Sequence, residues 1–269
     1  MNAERGQGEA PAPLGAGKTP LKRRAFLIGG GLATLGVGGV ALASGPEGVR
    51  EAYAKIVCGA IPEPPVTAPG MLQRSRVNGR RVVIGLPPDA RGVLSVVIML
   101  HGATGNARTP FDRYAIARHL AASGGHFAVA SIDDWPSADI AGTLLPYLRE
   151  CGLDIRRIGI LGWSSGGAGA LKLAAELGPE RVSAVAATAP AVTAARAPLQ
   201  ELVDIPIWLG SGERDMWAPQ TETMLKGLKA LGATAEGGIS GGCRNTAYRR
   251  RVLPEQLAFF SRHMATAPA

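Results

Sequence analysis

The stretch Ile158-Gly159-Ile160-Leu161-Gly162-Trp163-Ser164-Ser165-Gly166-Gly167 takes an apolar strand into a Gly-x-Ser-x-Gly turn, and a small-residue helix follows at once. A serine on such a turn carries its hydroxyl out of the sheet beside backbone N–H groups, the usual mount for a nucleophile. Glycine is needed two residues either side because the strained turn brings those positions against neighbouring backbone. The pentapeptide alone is unspecific in a chain with 37 glycines, and Gly238-Ile239-Ser240-Gly241-Gly242 repeats it. Context separates the two. Ser164 is followed by Ala170, Leu173, Ala174 and Leu177, an i, i+3, i+4, i+7 stripe that Gly178-Pro179 terminates. Ser240 has no helical pattern directly after it and reads as a strand end.

Two further segments support a nucleophilic role for Ser164. Val96-Val97-Ile98-Met99-Leu100 is an apolar strand opening into the glycine-spaced loop His101-Gly102-Ala103-Thr104-Gly105. Acyl transfer needs two N–H donors converging on a developing oxyanion, one from the residue after the nucleophile and one from such a loop. Ser165 is the candidate for the first, Ala103 for the second, with Thr104 close behind; His101 braces the loop. The strand Ile205-Pro206-Ile207-Trp208-Leu209 ends in the turn Gly210–Asp215. Asp215 there would orient an imidazole and stabilise its charged form; a solvated turn aspartate is the alternative reading, and Glu213 and Asp204 are weaker substitutes.

Between these segments, β-branched strands alternate with helices. Strands are expected at Val82–Ile84, Leu94–Leu100, Phe127–Ile132, Val182–Thr188, Ile205–Leu209 and Thr234–Ile239, with helices at Thr109–Ser123, Ala138–Cys151, Gln220–Leu231 and Leu253–His263. This pattern predicts a mostly parallel sheet covered on both faces. Only about 16 residues separate Val182–Thr188 from Ile205–Leu209, too few for a large lid. His101-Gly102, the Ser164 elbow and the Gly212–Asp215 turn together resemble the α/β-hydrolase superfamily, nearest its small, lid-poor esterases, over roughly residues 75–265. The resemblance implies a serine hydrolase that cleaves a small-molecule or polymer carboxylic ester through an acyl-enzyme on Ser164, without a cofactor or metal. Serine peptidases of the superfamily share the Gly-Trp-Ser-x-Gly-Gly pattern, so an amide substrate stays open. Trp163 and Trp217, with Trp135, would supply an apolar acyl pocket.

One feature contradicts that implication. In the superfamily the triad histidine follows the last strand; here that loop reads Ser240-Gly241-Gly242-Cys243-Arg244-Asn245-Thr246. Arg244 stands at the expected position, and a guanidinium has no acceptor for the serine proton. His263 follows in order but about 20 residues on, and is a weak candidate; His119 and His126 are weaker still. The base stays unlocated. Impaired ester hydrolysis and a catalytically inactive protein binding an acyl or anionic ligand are both open.

The chain carries 29 Lys/Arg against 21 Asp/Glu, a net charge of +8. No basic, aromatic-studded face accompanies that charge, which argues against nucleic acid as a partner. Five Lys/Arg and two Glu lie in the first 43 residues. There Arg23-Arg24-Ala25-Phe26-Leu27 resembles a twin-arginine export signal, followed by the uncharged stretch Ala25–Ala43 and a small-x-small ending at Ala41-Leu42-Ala43. The expected division is an export signal over 1–43, a linker or surface strap over 44–70, and a hydrolase-type domain over 71–269. A secreted protein follows; the alternative is a membrane anchor made by uncleaved residues 25–43, the one membrane contact the sequence suggests. Cys58, Cys151 and Cys243 form no zinc pattern, and one disulfide of unspecified pairing is expected if the chain is exported.

Overall fold

The computed structural model describes residues 52–64, 68–134, 136 and 139–264. The expected export signal over 1–43, residues 44–51 and Trp135 lie outside these. One eight-stranded sheet has the order β1-β2-β4-β3-β5-β6-β7-β8. Its strands are β1 (Leu72–Val77), β2 (Arg80–Gly85), β3 (Ser95–Leu100), β4 (Phe127–Ile132), β5 (Asp154–Trp163), β6 (Val182–Thr188), β7 (Ile207–Gly212) and β8 (Ala235–Ser240). From β4 onward across the sheet the pairs are parallel; β1–β2 and β2–β4 are antiparallel. The α-helices that follow β3 and are longer than one turn are α1 (Ile116–Ser123), α2 (Leu145–Glu150), α3 (Ser165–Leu177), α4 (Ala218–Ala230) and α5 (Thr246–His263).

The central strands are buried on both sides over their near-continuous apolar runs. In β3, Val96, Ile98 and Leu100 face a core with Leu171 and Leu173 of α3, while Val97 and Met99 face one with Trp163, Phe259 and Phe260. Alternation along a strand thus feeds both helix layers from a single apolar run. No long insertion separates β6 from β7, where two short 3-10 turns, Ala194–Arg196 and Gln200–Leu202, fill the connection.

Several local expectations need correction. The edge strand β1 has no apolar run to announce it, but Asn78-Gly79, both at positive φ (49° and 78°), is the signature of a tight hairpin and forces β1 back along β2. The predicted helix 109–123 breaks at Ala115, whose φ of 55° separates the turn Thr109–Asp112 from α1. Over 138–151, a π-helical stretch Ile140–Leu144 hands over to α2, whose first turn accommodates Pro146. The last helix starts seven residues earlier than Leu253: Asn245 caps it by accepting from the Tyr248 N–H at 3.0 Å, and Pro254 sits inside it.

Residues 52–58 form a helix, and Cys58 is disulfide-bonded to Cys243, 185 residues away. Arg214 donates to the Val57 carbonyl at 3.2 Å, and Glu63 pairs with Arg118 and Arg250. Cys151 is a free, exposed thiol. No helix among the described residues is long and apolar enough to cross a membrane.

Candidate active site

The parallel strands deliver four loops to one rim of the sheet, the carboxyl ends where ligand sites of such sheets form. Ser164 follows β5 and has φ 59°, ψ −121°, a conformation rarely tolerated by a residue with a side chain. The turn closes only with glycine around it. A Cβ at Gly162 would collide with the Gly166 carbonyl, and one at Gly166 with the carbonyls of Leu100 and His101. Three backbone bonds hold the bend: the Ser164 N–H donates to Thr188 O at 2.9 Å, and its carbonyl accepts from Ala168 and Ala191. Ser165 opens α3, so its N–H has no intrahelical acceptor.

The loop after β3 sits against this elbow. A Cβ on Gly102 would lie 3.4 Å from Trp163 O and 3.6 Å from Ser164 Cβ. His101 is buried, with Nδ1 2.8 Å from the Gly102 carbonyl, so the ring is built into the loop. Gly102, Ala103, Thr104 and Ser164 line a common cavity of about 300 Å³.

Asp215 follows β7 at the same rim and is 5% exposed. The adjacent Glu213 and Arg214 N–H groups donate to Ser240 O and Gly242 O, tying this turn to the loop after β8. The Asp215 carboxylate accepts the Trp217 N–H at 3.0 Å and so closes its own turn at the start of α4. Among the described residues it makes no salt bridge.

Arg244, in the loop after β8, donates from Nη2 to the Ser164 hydroxyl and from Nη1 to Met216 Sδ at 3.2 Å. A cation with five N–H donors therefore occupies the place from which a base would take the serine proton. Among the described residues no imidazole is a hydrogen-bond partner of Ser164. His263 lies 3.7 Å from Glu236 and packs on Phe259, and Glu236 is in register with Trp208 near the start of β7, the opposite rim. His119 is buried on α1 and His126 is exposed before β4.

Trp163 and Trp217, expected in an acyl pocket, do not line the cavity, and Trp135 lies outside the described residues. Trp163 is 1% exposed and stacks edge-on against Tyr114 at 4.4 Å, forming the layer beneath the cavity. Trp217 caps α4 and is not among the residues lining the cavity. The wall opposite Ser164 is instead polar: Thr109, Arg113, Tyr114 and Arg249. Sequence reasoning missed Arg113 and Arg249, because nothing in the strand of sequence around either marks it as facing a site. Among the described residues no group of three or more His, Cys, Asp or Glu is placed to hold a metal.

No family model matches the chain, and no curated protein matches it in sequence. Solved structures do match. An S-formylglutathione hydrolase from Staphylococcus aureus has 15% identity and a TM-score of 0.61 over 76% of this chain and 100% of its own. A ferulic acid esterase has 15% identity and a TM-score of 0.63 over 72% and 98%. A bacterial heroin esterase has 18% identity and a TM-score of 0.58 over 84% and 94%. This chain has the α/β-hydrolase fold. Within that fold, the loops after β3, β5, β7 and β8 are those that carry the site described above.

Proposed function

We propose that the protein is a serine-hydrolase-type binding protein for an acyl or anionic ligand that has lost fast turnover. The observation that carries this reading is the Arg244 guanidinium bonded to the Ser164 hydroxyl. The cation can orient the oxygen and could stabilise a negative charge near it, but it cannot accept a proton. In a serine protease, removing the base lowers turnover on the order of 10⁶-fold, while oxyanion-hole and binding effects survive. The elbow at Ser164, the neighbouring Gly102–Thr104 loop and the free N–H at Ser165 would supply those surviving terms. A second reading, a working carboxylesterase using an acyl-enzyme on Ser164, is favoured by the strained φ of Ser164, a feature kept where a nucleophile must be displayed. Export is part of the proposal: the Cys58–Cys243 bridge accords with an oxidising compartment and with the arginine pair at Arg23-Arg24.

The test is a fluorophosphonate probe applied to the protein recovered outside the cytoplasm. Wild type is expected to label slowly or not at all, and Arg244→His to label at Ser164, with Arg244→His/Ser164→Ala silent. Rapid wild-type labelling that Ser164→Ala abolishes would establish the second reading. A protein held inside the cell, or a mature mass that still includes residues 25–43, would overturn export.

A further inference from the structure

The arginines that line the Ser164 cavity lack the carboxylate partners that several others on the surface have. Arg81, Arg108, Arg118 and Arg250 each pair with a carboxylate: Asp133, Asp112 and, for the last two, Glu63. The three that line the cavity, Arg113, Arg244 and Arg249, make no salt bridge among the described residues. The Arg244 and Arg249 side chains have neutral partners: the Ser164 hydroxyl, the Met216 sulfur and the Tyr114 hydroxyl. No acidic residue is among those lining the cavity.

Three unpaired guanidiniums facing one concave volume repel each other unless an anion joins them. Arg249 is also pre-positioned. Its guanidinium lies 5.1 Å from the centre of the Tyr114 ring, and that ring rests on buried Trp163, so little ordering remains to be done on binding. Thr104 and Thr109 add hydroxyls, and the Ala103–Thr104 loop adds backbone donors. This is more donor capacity than the two oxygens of a carboxylate can use. Guanidinium forks together with hydroxyl and backbone donors match the three terminal oxygens of a phosphate monoester, which carries close to two negative charges near neutral pH.

We infer that the cavity is a receptor for the phosphate group of a small phosphate monoester, seated between Arg113, Arg244 and Arg249 with Ser164 at its floor. This names an anionic ligand for the site proposed above and rests on that reading only for its location at Ser164. The cavity of about 300 Å³ leaves room for a small organic group beyond the phosphate. No covalent step is involved: Ser164 donates or accepts a hydrogen bond, and Arg244 shifts from the hydroxyl to the incoming anion.

The experiment uses the full mature protein with its disulfide intact, titrated with inorganic phosphate, then acetate, at one ionic strength held by sodium chloride. Phosphate at a hundredfold excess over its Kd is expected to raise Tm by roughly 5–10 °C, with saturable heat in calorimetry. Arg113→Gln and Arg249→Gln should each weaken phosphate binding at least tenfold, and Arg108→Gln, paired with Asp112 outside the cavity, should leave it unchanged. Should a variant fail to fold, the wild-type comparison of phosphate with acetate still decides. Equal stabilisation by acetate, or no stabilisation by phosphate beyond the matched salt, would overturn the inference. Neither outcome bears on fluorophosphonate labelling, so the two proposals fail separately.

Discussion

Ser164 shows how much local structure a single position can demand. Its backbone lies at positive φ, a conformation that costs a non-glycine residue on the order of 1–3 kcal/mol, and the elbow is held by bonds to β6 and by two glycines. At Gly166 any side chain would meet the Leu100 carbonyl at the end of β3 and the His101 carbonyl just after it. Gly166→Ala should therefore lower stability by about 3 kcal/mol or more, since backbone rather than a flexible side chain must move. Urea unfolding would measure this, and a loss below about 0.5 kcal/mol would show that the elbow can relax. Arg244 illustrates the opposite case, in which a residue's chemistry is clear from the sequence but its contact is not.

Among the elements, the loop after β8 is the one whose position has chemical consequences, and it is held from outside the sheet. Cys243 ties it to the helix at 52–58, Gly242 O and Ser240 O accept from the Asp215 turn, and Asn245 starts α5 directly behind it. The bridge closes a span of 185 residues, for which the chain-entropy account gives an upper value of about 5 kcal/mol. Cys58→Ser/Cys243→Ser should lower unfolding free energy by about 2–5 kcal/mol. It should also speed hydrogen exchange at Arg244 and Asn245 while leaving the β3–β6 core protected. Unaltered exchange in that loop would mean that α5 and the Asp215 turn hold Arg244 without the bridge.

Across the whole molecule, one buried titratable group links stability to pH. His119 is 4% exposed on α1, with neither ring nitrogen hydrogen-bonded among the described residues. Burial, and then the nearby Arg250 and Arg118, lower its pKa from 6.5 to about 4, with Glu63 opposing them. The folded state thus binds this proton less readily than the unfolded chain. The resulting stability is present in full above pH 6.5 and is lost as pH falls toward 4. Tm should decline across that window, and His119→Leu should flatten the decline; an unchanged profile in the variant would assign the pH dependence to other groups.

The alternation of apolar strands with helical stripes determined the parallel sheet, because burial on both faces requires uninterrupted β-branched runs that show in one dimension. The Gly-x-Ser-x-Gly turn, the loop at Gly102 and the turn at Asp215 were legible for a similar reason: backbone strain and close approach restrict the residue types allowed there. What replaced the base could be named as Arg244 from its place in the chain. Only the tertiary structure showed that its guanidinium reaches Ser164, that Cys58 pairs with Cys243, that Trp163 lies beneath the cavity, and that Arg113 and Arg249 join the site. Those facts depend on side chains meeting across long separations in sequence, and an arginine that will face a cavity reads the same in sequence as one that will face water.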